Sequence, residues 1–365
     1  MKGAFSMPNK QAHNYVITAV DFSQPLKDIS TTGKERPWAE HRGSAELLAW
    51  AYEGLRPEKA ARLRTCAPRL LYEVRRDEDG HTKMKLHTAW FCRVRLCPVC
   101  QWRRSLKIYG QATKVIEAIE QEAPNKYAWI MLTLTVQNIT GDALSGTLNE
   151  MAEAWHRLLK LNAWKHVVLG TMRSTEVTHN LDISSPSYNT YHPHYHVLLC
   201  VRKSYFKSRN YLSQNAWAAL WQRAARLPYK PQIWVTRVQG NSAAALAEVA
   251  KYASKPGDYV LPDDLDMMEE TVKILDNALH RRRLLAWTGI LKEMHAKLGL
   301  DDAEAGDLVN TDIQEENEQA AMHVLKAYAW VPGYRQYYKE WGDEICLEEN
   351  KPSQKTSRSQ RHNTS

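Results

Sequence analysis

Three histidines at alternate positions, His192, His194 and His196 in "NTYHPHYHVLLCV" (189–201), run into an unbroken apolar stretch. Alternate side chains of a strand share a face, so these imidazoles point one way and Tyr191, Tyr195, Val197 and Leu199 the other. Two imidazoles at i and i+2 can both reach one divalent ion. Upstream, "RSTEVTHN" offers Glu176, with His179 as a spare. If residues 172–180 pair antiparallel with 190–200, Glu176 comes near the histidines. Two histidines and a carboxylate with open positions can bind a substrate as well as a metal. The plainer reading is a hydrogen-bonded core histidine or two and a solvated strand carboxylate.

A second set lies in "AEVAKYASK", read as part of a helix over 242–255 that opens on a serine cap and stops before Pro256-Gly257. Glu248, Tyr252 and Lys255 follow one another at i, i+4 and i+7 and line one helix face. A phenol with a pKa near 10 is a weak nucleophile unless a cation stabilises its phenolate. A carboxylate one turn away can activate water. Alone, such a trio more often forms a solvated face with a packed tyrosine. Lys251 and Lys255 also suit contacts to a DNA backbone, and Tyr259 lies off this face.

Four of the six cysteines fall between positions 66 and 100. Cys97 and Cys100 form a CxxC knuckle, with Cys92 just before it and Cys66 ahead of a strand pair over 69–91. That hairpin turns at "DEDG", so its ladder sets Cys66 roughly opposite Cys92. Four thiolates can then close a tetrahedral structural Zn²⁺ site with no open position. His81 and His87 are weaker substitutes, and the alternative is a set of buried thiols. Cys200 and Cys346 are isolated and read as core residues.

Further elements must carry these groups. A helix is expected over 103–121, a buried strand over "YAWIMLTLTVQN" (127–138), and a helix over 144–161. Strands follow at "HVVLGTMRSTEVTH" and the histidine segment, then a helix with Trp217, Leu220 and Trp221. A strand "QIWVTRV" and a long helical region over 264–299 complete the series. Strands interspersed with helices and often paired imply an α+β fold on a largely antiparallel sheet.

The formal net charge of the 365 residues is +8. Residues 301–320 hold eight acidic side chains and no Lys or Arg, leaving 49 basic against 33 acidic residues elsewhere. Basic and aromatic residues interleave in "RVRLCPVCQWRRSLK", where Arg103 and Arg104 are candidates for DNA contact. No long apolar run marks a membrane span, and the start is too polar for a secretory leader. A cytoplasmic location is therefore expected, with disulfides disfavoured. The expected organisation is a flexible arm (1–60), a zinc-binding hairpin and knuckle (61–105), and a catalytic domain with a helical extension (106–300). An acidic linker (301–320), a small C-terminal segment (321–348) and a disordered tail (349–365) follow.

"IMLTLTVQN" (130–138), "HPHYHVLL" (192–199) and "EVAKYASKPGDY" (248–259) resemble the three ordered motifs of rolling-circle plasmid replication initiators of the HUH endonuclease superfamily. "FCRVRLCPVCQWRRSLK" is similar to the cysteine-rich segment of one branch of them. Each motif is weak alone, whereas the three in order behind the cysteine segment are specific. The resemblance covers roughly residues 60–300. It implies an HUH-type antiparallel sheet flanked by helices, with the zinc segment upstream. It further implies that His194 and His196 hold Mg²⁺ or Mn²⁺ against a scissile phosphate and that Tyr252 attacks it. The products are a 5′-phosphotyrosine and a 3′-OH primer at a plasmid origin, presented as a single strand or hairpin. Glu248 matches a glutamate that activates water to end replication, where some relatives use a second tyrosine. A host helicase is a further partner that the resemblance raises without placing. Competing readings are another HUH enzyme, such as a relaxase or transposase, and a non-catalytic zinc-dependent nucleic-acid-binding regulator.

Overall fold

The computed structural model describes residues 19–30, 33–76, 82–238, 243–250, 254–311, 322–341 and 345–346. Two antiparallel sheets organise them. The sheet that carries the histidines has five strands in the order β7 (Ile233–Val238), β4 (Tyr127–Thr135), β6 (Thr190–Arg202), β5 (Val168–Asn180) and β8 (Leu285–Thr288). The central strand β6 is buried along nearly its whole length, as its continuous apolar run requires.

Side-chain alternation along β4, β5 and β6 feeds two separate cores. Leu132, Leu134, Tyr195, Val197 and Leu199 pack under α4 (Leu144–Leu158), α5 (Asn162–Val167) and α6 (Gln214–Ala225). Trp129, Met131, Met172, Leu198 and Cys200 face α3 (Pro98–Glu122), α7 (Ala243–Val249) and α9 (Gly289–Lys297) instead. His194 and His196 lie on this second face, so the period of two alone decides which helices they meet. The antiparallel sheet between helical layers is the expected α+β architecture.

The other sheet runs β1 (Val20–Pro25), β10 (Gln336–Glu340), β9 (Met322–Val331), β2 (Arg69–Arg76) and β3 (Thr82–Ala89), with β11 (Ile345–Cys346) also on β9. Its inner residues Leu70, Tyr72, Tyr328, Trp330 and Tyr337 share a core with Trp38, Leu48 and Tyr52 of α1 (Trp38–Glu53) and with the four cysteines. Asp28 fixes that core by accepting hydrogen bonds from Trp38 Nε1 at 2.8 Å and from the Tyr72 hydroxyl at 2.7 Å. Helices α2 (Pro57–Arg64) and α8 (Leu265–Ala278) join through Asp276, which accepts from Lys59 and from the Tyr52 hydroxyl at 2.8 Å.

Several expectations change here. The part of the 1–60 arm that is described forms β1, α1 and the start of α2, with Trp38 and Leu48 fully in the core; residues 1–18 and 31–32 lie outside the described residues. The C-terminal segment is no separate piece, because β9 is the ladder partner of β2 over eight register pairs. Residues 301–311 are a strap along α3 rather than a linker. Lys107 Nζ donates to Asp301 Oδ2 and to the Asp307 carbonyl, both at 2.6 Å, and Arg95 Nη1 donates to Glu304 Oε1 at 2.7 Å. Residues 312–321 and 347–365 lie outside the described residues.

The single helical region expected over 264–299 is broken by β8, which supplies the fifth strand. "LAWT" is too short and apolar for periodicity to separate strand from helix. Gly289 ends it at φ +53°, where a Cβ would lie 2.0 Å from the Leu169 carbonyl oxygen, so only glycine fits that approach. His166 and Val167 close the short helix α5, and the strand starts only at Val168. Among the described residues no helix is long and apolar enough to cross a membrane.

His41 of α1 is buried against the Trp102 ring at 5.2 Å, and that burial pushes its pKa down to about 4. The unfolded chain takes up this proton near pH 6.5 while the folded chain resists until about pH 4, so acidification through that window favours unfolding. Replacing His41→Phe should remove a loss on the order of 2 kcal/mol between pH 7 and pH 5. Urea unfolding at both pH values checks this, and an equal loss in both proteins would contradict it.

Candidate metal centres

The ladder between β5 and β6 sets Glu176 directly opposite His194 and Ser174 opposite His196. Three donor atoms converge on the face below α7. Glu176 Oε2 is 2.8 Å from His196 Nε2 and 3.3 Å from His194 Nε2, and the two Nε2 atoms are 3.1 Å apart. All three residues are buried, Glu176 to 2% exposure. His194 Nδ1 donates to the His192 carbonyl at 3.1 Å, which turns Nε2 and its lone pair toward the carboxylate.

Neighbouring ligands on an octahedral ion at about 2.1 Å are roughly 3.0 Å apart, close to the observed separations. The set therefore fits a divalent cation with three positions left open. Burial opposes the Glu176 charge, but hydrogen bonds and charge from both imidazoles hold its carboxyl well below the usual carboxylate range. The ionised form is the one a cation needs. Tyr195 between the histidines faces the opposite way, under the Arg173 guanidinium at 4.3 Å, as alternation requires.

Helix α7 brings Glu248 Oε1 to 3.6 Å from His196 Nδ1, longer than a hydrogen bond but close enough for charge to act. Lys255 Nζ lies 3.9 Å from Glu176 Oε1 and is half exposed. Tyr252 and Lys251 lie outside the described residues. The chain on either side of them nonetheless reaches the triad, at Glu248 and at Lys255. Asp258 is a neighbour that motif reading passed over, though it stands in "KPGDY". Burial pushes its carboxyl up to about 6, with Lys255 opposing and Glu176 adding to the rise.

His192 stays outside the cluster, and its carbonyl rather than its ring serves the site. The spare candidate His179 is used otherwise: its Nε2 meets Asn189 Oδ1 at 2.9 Å and its ring stacks on Tyr191 at 4.4 Å. An odd offset from Glu176 puts it on the other strand face.

The four cysteines also converge. Sulfur separations are 3.5 Å for Cys66–Cys97 and 3.7 Å for both Cys66–Cys100 and Cys92–Cys100. A tetrahedral site with metal–sulfur bonds of about 2.3 Å has edges of roughly 3.8 Å, so the fit is close. These separations are far from bonded sulfurs, and the thiols are free. Backbone amides of Arg93 and Cys92 donate to Cys100 at 3.3 Å and to Cys66 at 3.5 Å. Cys97 caps α3 and Cys100 sits in its first turn, where the helix dipole favours a thiolate. Burial opposes ionisation of Cys100, yet bonds from the other three thiols and the charge of Arg104 carry its pKa well down. Burial carries Cys66 and Cys97 up. His87 is exposed and pairs with Thr88 Oγ1 at 2.8 Å; His81 lies outside the described residues. Cys200 is a core residue, as expected, with its thiol pushed up by burial to about 12.

Arg103 and Arg104 are both buried and bonded to the strap, and Arg104 keeps one nitrogen, Nη1, without a hydrogen-bond partner among the described residues. Arg103 donates to the Leu308 and Val309 carbonyls at 2.9 and 2.6 Å and stacks between Trp38 and Trp102, while burial lowers its pKa to about 10. Arg104 Nε donates to the Glu304 carbonyl at 3.2 Å. Both clamp the acidic strap to α3, which a run of basic residues in the sequence does not reveal.

The sequence profile of the family described as "Replication protein" matches residues 83–338, from β3 through β10. A "Protein rep" of Bacillus amyloliquefaciens is 40% identical over 341 residues, covering 86% of this chain and 96% of the relative. A "Protein rep" of Streptococcus pneumoniae is 33% identical over 320 residues, covering 86% and 95%. A "Replication protein" of Staphylococcus aureus is 35% identical over 229 residues, covering 60% and 94%. No solved structure matches the chain. The chain belongs to the replication protein family, the Rep initiators of plasmid rolling-circle replication.

If the four thiols hold a metal ion, Cys97→Ser should lose one metal equivalent per chain and melt at a lower temperature. Elemental analysis of the purified variant beside its parent checks this. An unchanged metal content would remove the cluster from that role.

Proposed function

We propose that this protein starts plasmid replication by nicking one strand of the origin with Tyr252 as the nucleophile. The observation that carries the reading is the triad of Glu176, His194 and His196, with Glu248 and Lys255 both at its rim. Tyr252 falls between those two rim residues in the sequence, four residues after Glu248. The family and the ordered motifs support the same assignment.

Bound by the triad, Mg²⁺ or Mn²⁺ would neutralise a phosphate and polarise it toward attack. His194, His196 and Glu176 hold that position, and the His192 carbonyl orients the His194 ring. The Tyr252 oxygen bonds to phosphorus as the P–O3′ bond breaks. The phenol gives up its proton and the departing 3′ oxygen gains one, leaving a 3′-OH primer and a 5′-phosphotyrosine. Lys255, the exposed cation beside Glu176, meets the strand's charge. To terminate, Glu248 takes a proton from water as the water oxygen bonds to phosphorus and the P–O bond to tyrosine breaks; the departing phenolate then takes a proton, from Glu248 or solvent, to restore the phenol. The cysteine knuckle is read as a structural Zn²⁺ site. It shares its core with the sheet of β2 and β9.

Purified protein incubated with Mn²⁺ and supercoiled plasmid bearing its origin should give open circles with protein on the 5′ end. Tyr252→Phe should give neither, and nicking by both proteins would overturn the nucleophile. Glu248→Ala should still nick but accumulate the covalent adduct at least tenfold. Release at the parent's rate would take Glu248 out of hydrolysis.

A further inference from the structure

A cleft of about 410 Å³, counting its open mouth, lies beside the triad on the same face of β5. Arg95, Gln101, Arg104 and Ser105 line it from the knuckle and α3, Ser174 from β5, and Glu304 from the strap. Ser174 is the cross-strand partner of His196, so the cleft and the cation position share a wall.

Its charges do not cancel. The Glu304 carboxylate is already satisfied by Arg95 Nη1 at 2.7 Å and by the Leu284 and Leu285 amides at 3.1 and 3.3 Å. Arg104 adds a second guanidinium, with Nε on the Glu304 carbonyl and Nη2 on the Arg93 carbonyl. Its Nη1 is buried with no hydrogen-bond partner among the described residues, and so is the Ser174 Oγ. Arg104 and Ser174 are 8% and 6% exposed, so neither group has ready access to bulk water. A buried unpaired guanidinium nitrogen is costly, and an anion with several oxygens answers it together with the hydroxyl.

We propose that this cleft takes a phosphodiester group of the DNA strand held at the triad, bound by Arg104 Nη1 and Ser174 Oγ. The proposal rests on the nicking reading for the strand's presence at the triad. It adds a second grip on the backbone, one strand position from His196. That grip sets where along the strand the scissile phosphate comes to rest, without reading any base.

The test is fluorescence anisotropy of a short mixed-sequence single-stranded oligonucleotide, with no Mg²⁺ or Mn²⁺ added and no chelator, over a series of KCl concentrations. Arg104→Gln should weaken binding about tenfold and make the log–log salt dependence shallower by about 0.7, the share of one phosphate contact on a single strand. Ser174→Ala should weaken it about three- to fivefold with the slope unchanged. If Arg104→Gln fails to fold, Ser174→Ala decides, because its hydroxyl has no hydrogen-bond partner among the described residues. Affinity and slope equal to the parent's would overturn the proposal. A second arm follows thermal unfolding with inorganic phosphate. Stabilisation of the parent by phosphate, with unchanged oligonucleotide binding in the variants, would make the cleft a small-anion site and overturn it as well. Because cleavage needs the added divalent ion, this titration is free of it: a negative result here leaves the Tyr252 nicking assay standing, and a failed nicking assay leaves these affinities to be read on their own.

Discussion

The register between β5 and β6 is the constraint on which the site depends. Glu176 stands across from His194, and the carboxylate oxygen meets both imidazoles only because that pairing holds. A slip of one residue would turn Glu176 into the tyrosine–tryptophan core under α4 and α6 and set Thr175 or Val177 opposite His194 in its place. What prevents the slip is burial on both faces: each strand feeds two dissimilar cores, so an offset would force the wrong side chains into both and bury the Glu176 charge among aromatic rings. Packing thereby fixes the position of three polar atoms to within hydrogen-bond length.

The cysteine knuckle and the acidic strap extend this constraint to α3. The knuckle starts the helix, with Cys97 as its cap, and the strap is tied to its middle by Arg103, Lys107 and Gln111. Helix α3 covers the same sheet face as α7, so its placement sets the shape of the ground beside the triad. The Arg103 and Lys107 charges are spent on the strap and are unavailable to a nucleic acid. The net basic balance of the chain therefore overstates what its surface can offer DNA, as Arg103 shows most clearly.

Local chemistry was legible in the sequence and long-range pairing was not. His194, His196 and the four cysteines announce themselves by residue type and spacing, and the period of two correctly turned Tyr195 away from them. Glu176 needed one assumption about neighbouring strands, which the observed register satisfies. By contrast, β9 pairs with β2 across some 250 residues of chain, a contact for which no local pattern exists. The segment "LAWT" is a strand only because β5 offers an edge for it to complete. Acidic residues 301–311 look like a solvated run until Lys107 and Arg95 are seen beneath them. Glu248 was singled out for catalysis, but its approach to His196 Nδ1 came from the packing of α7 and not from spacing.

The central claim is that Glu176, His194 and His196 grip one divalent ion. Crystals grown with Mn²⁺ and measured at the manganese absorption edge test it most directly. The account predicts one strong anomalous peak about 2.2 Å from Oε2 of Glu176 and Nε2 of both histidines, absent from Glu176→Gln crystals. No peak among these three atoms in the parent, or one that survives in Glu176→Gln at the same height, would contradict it.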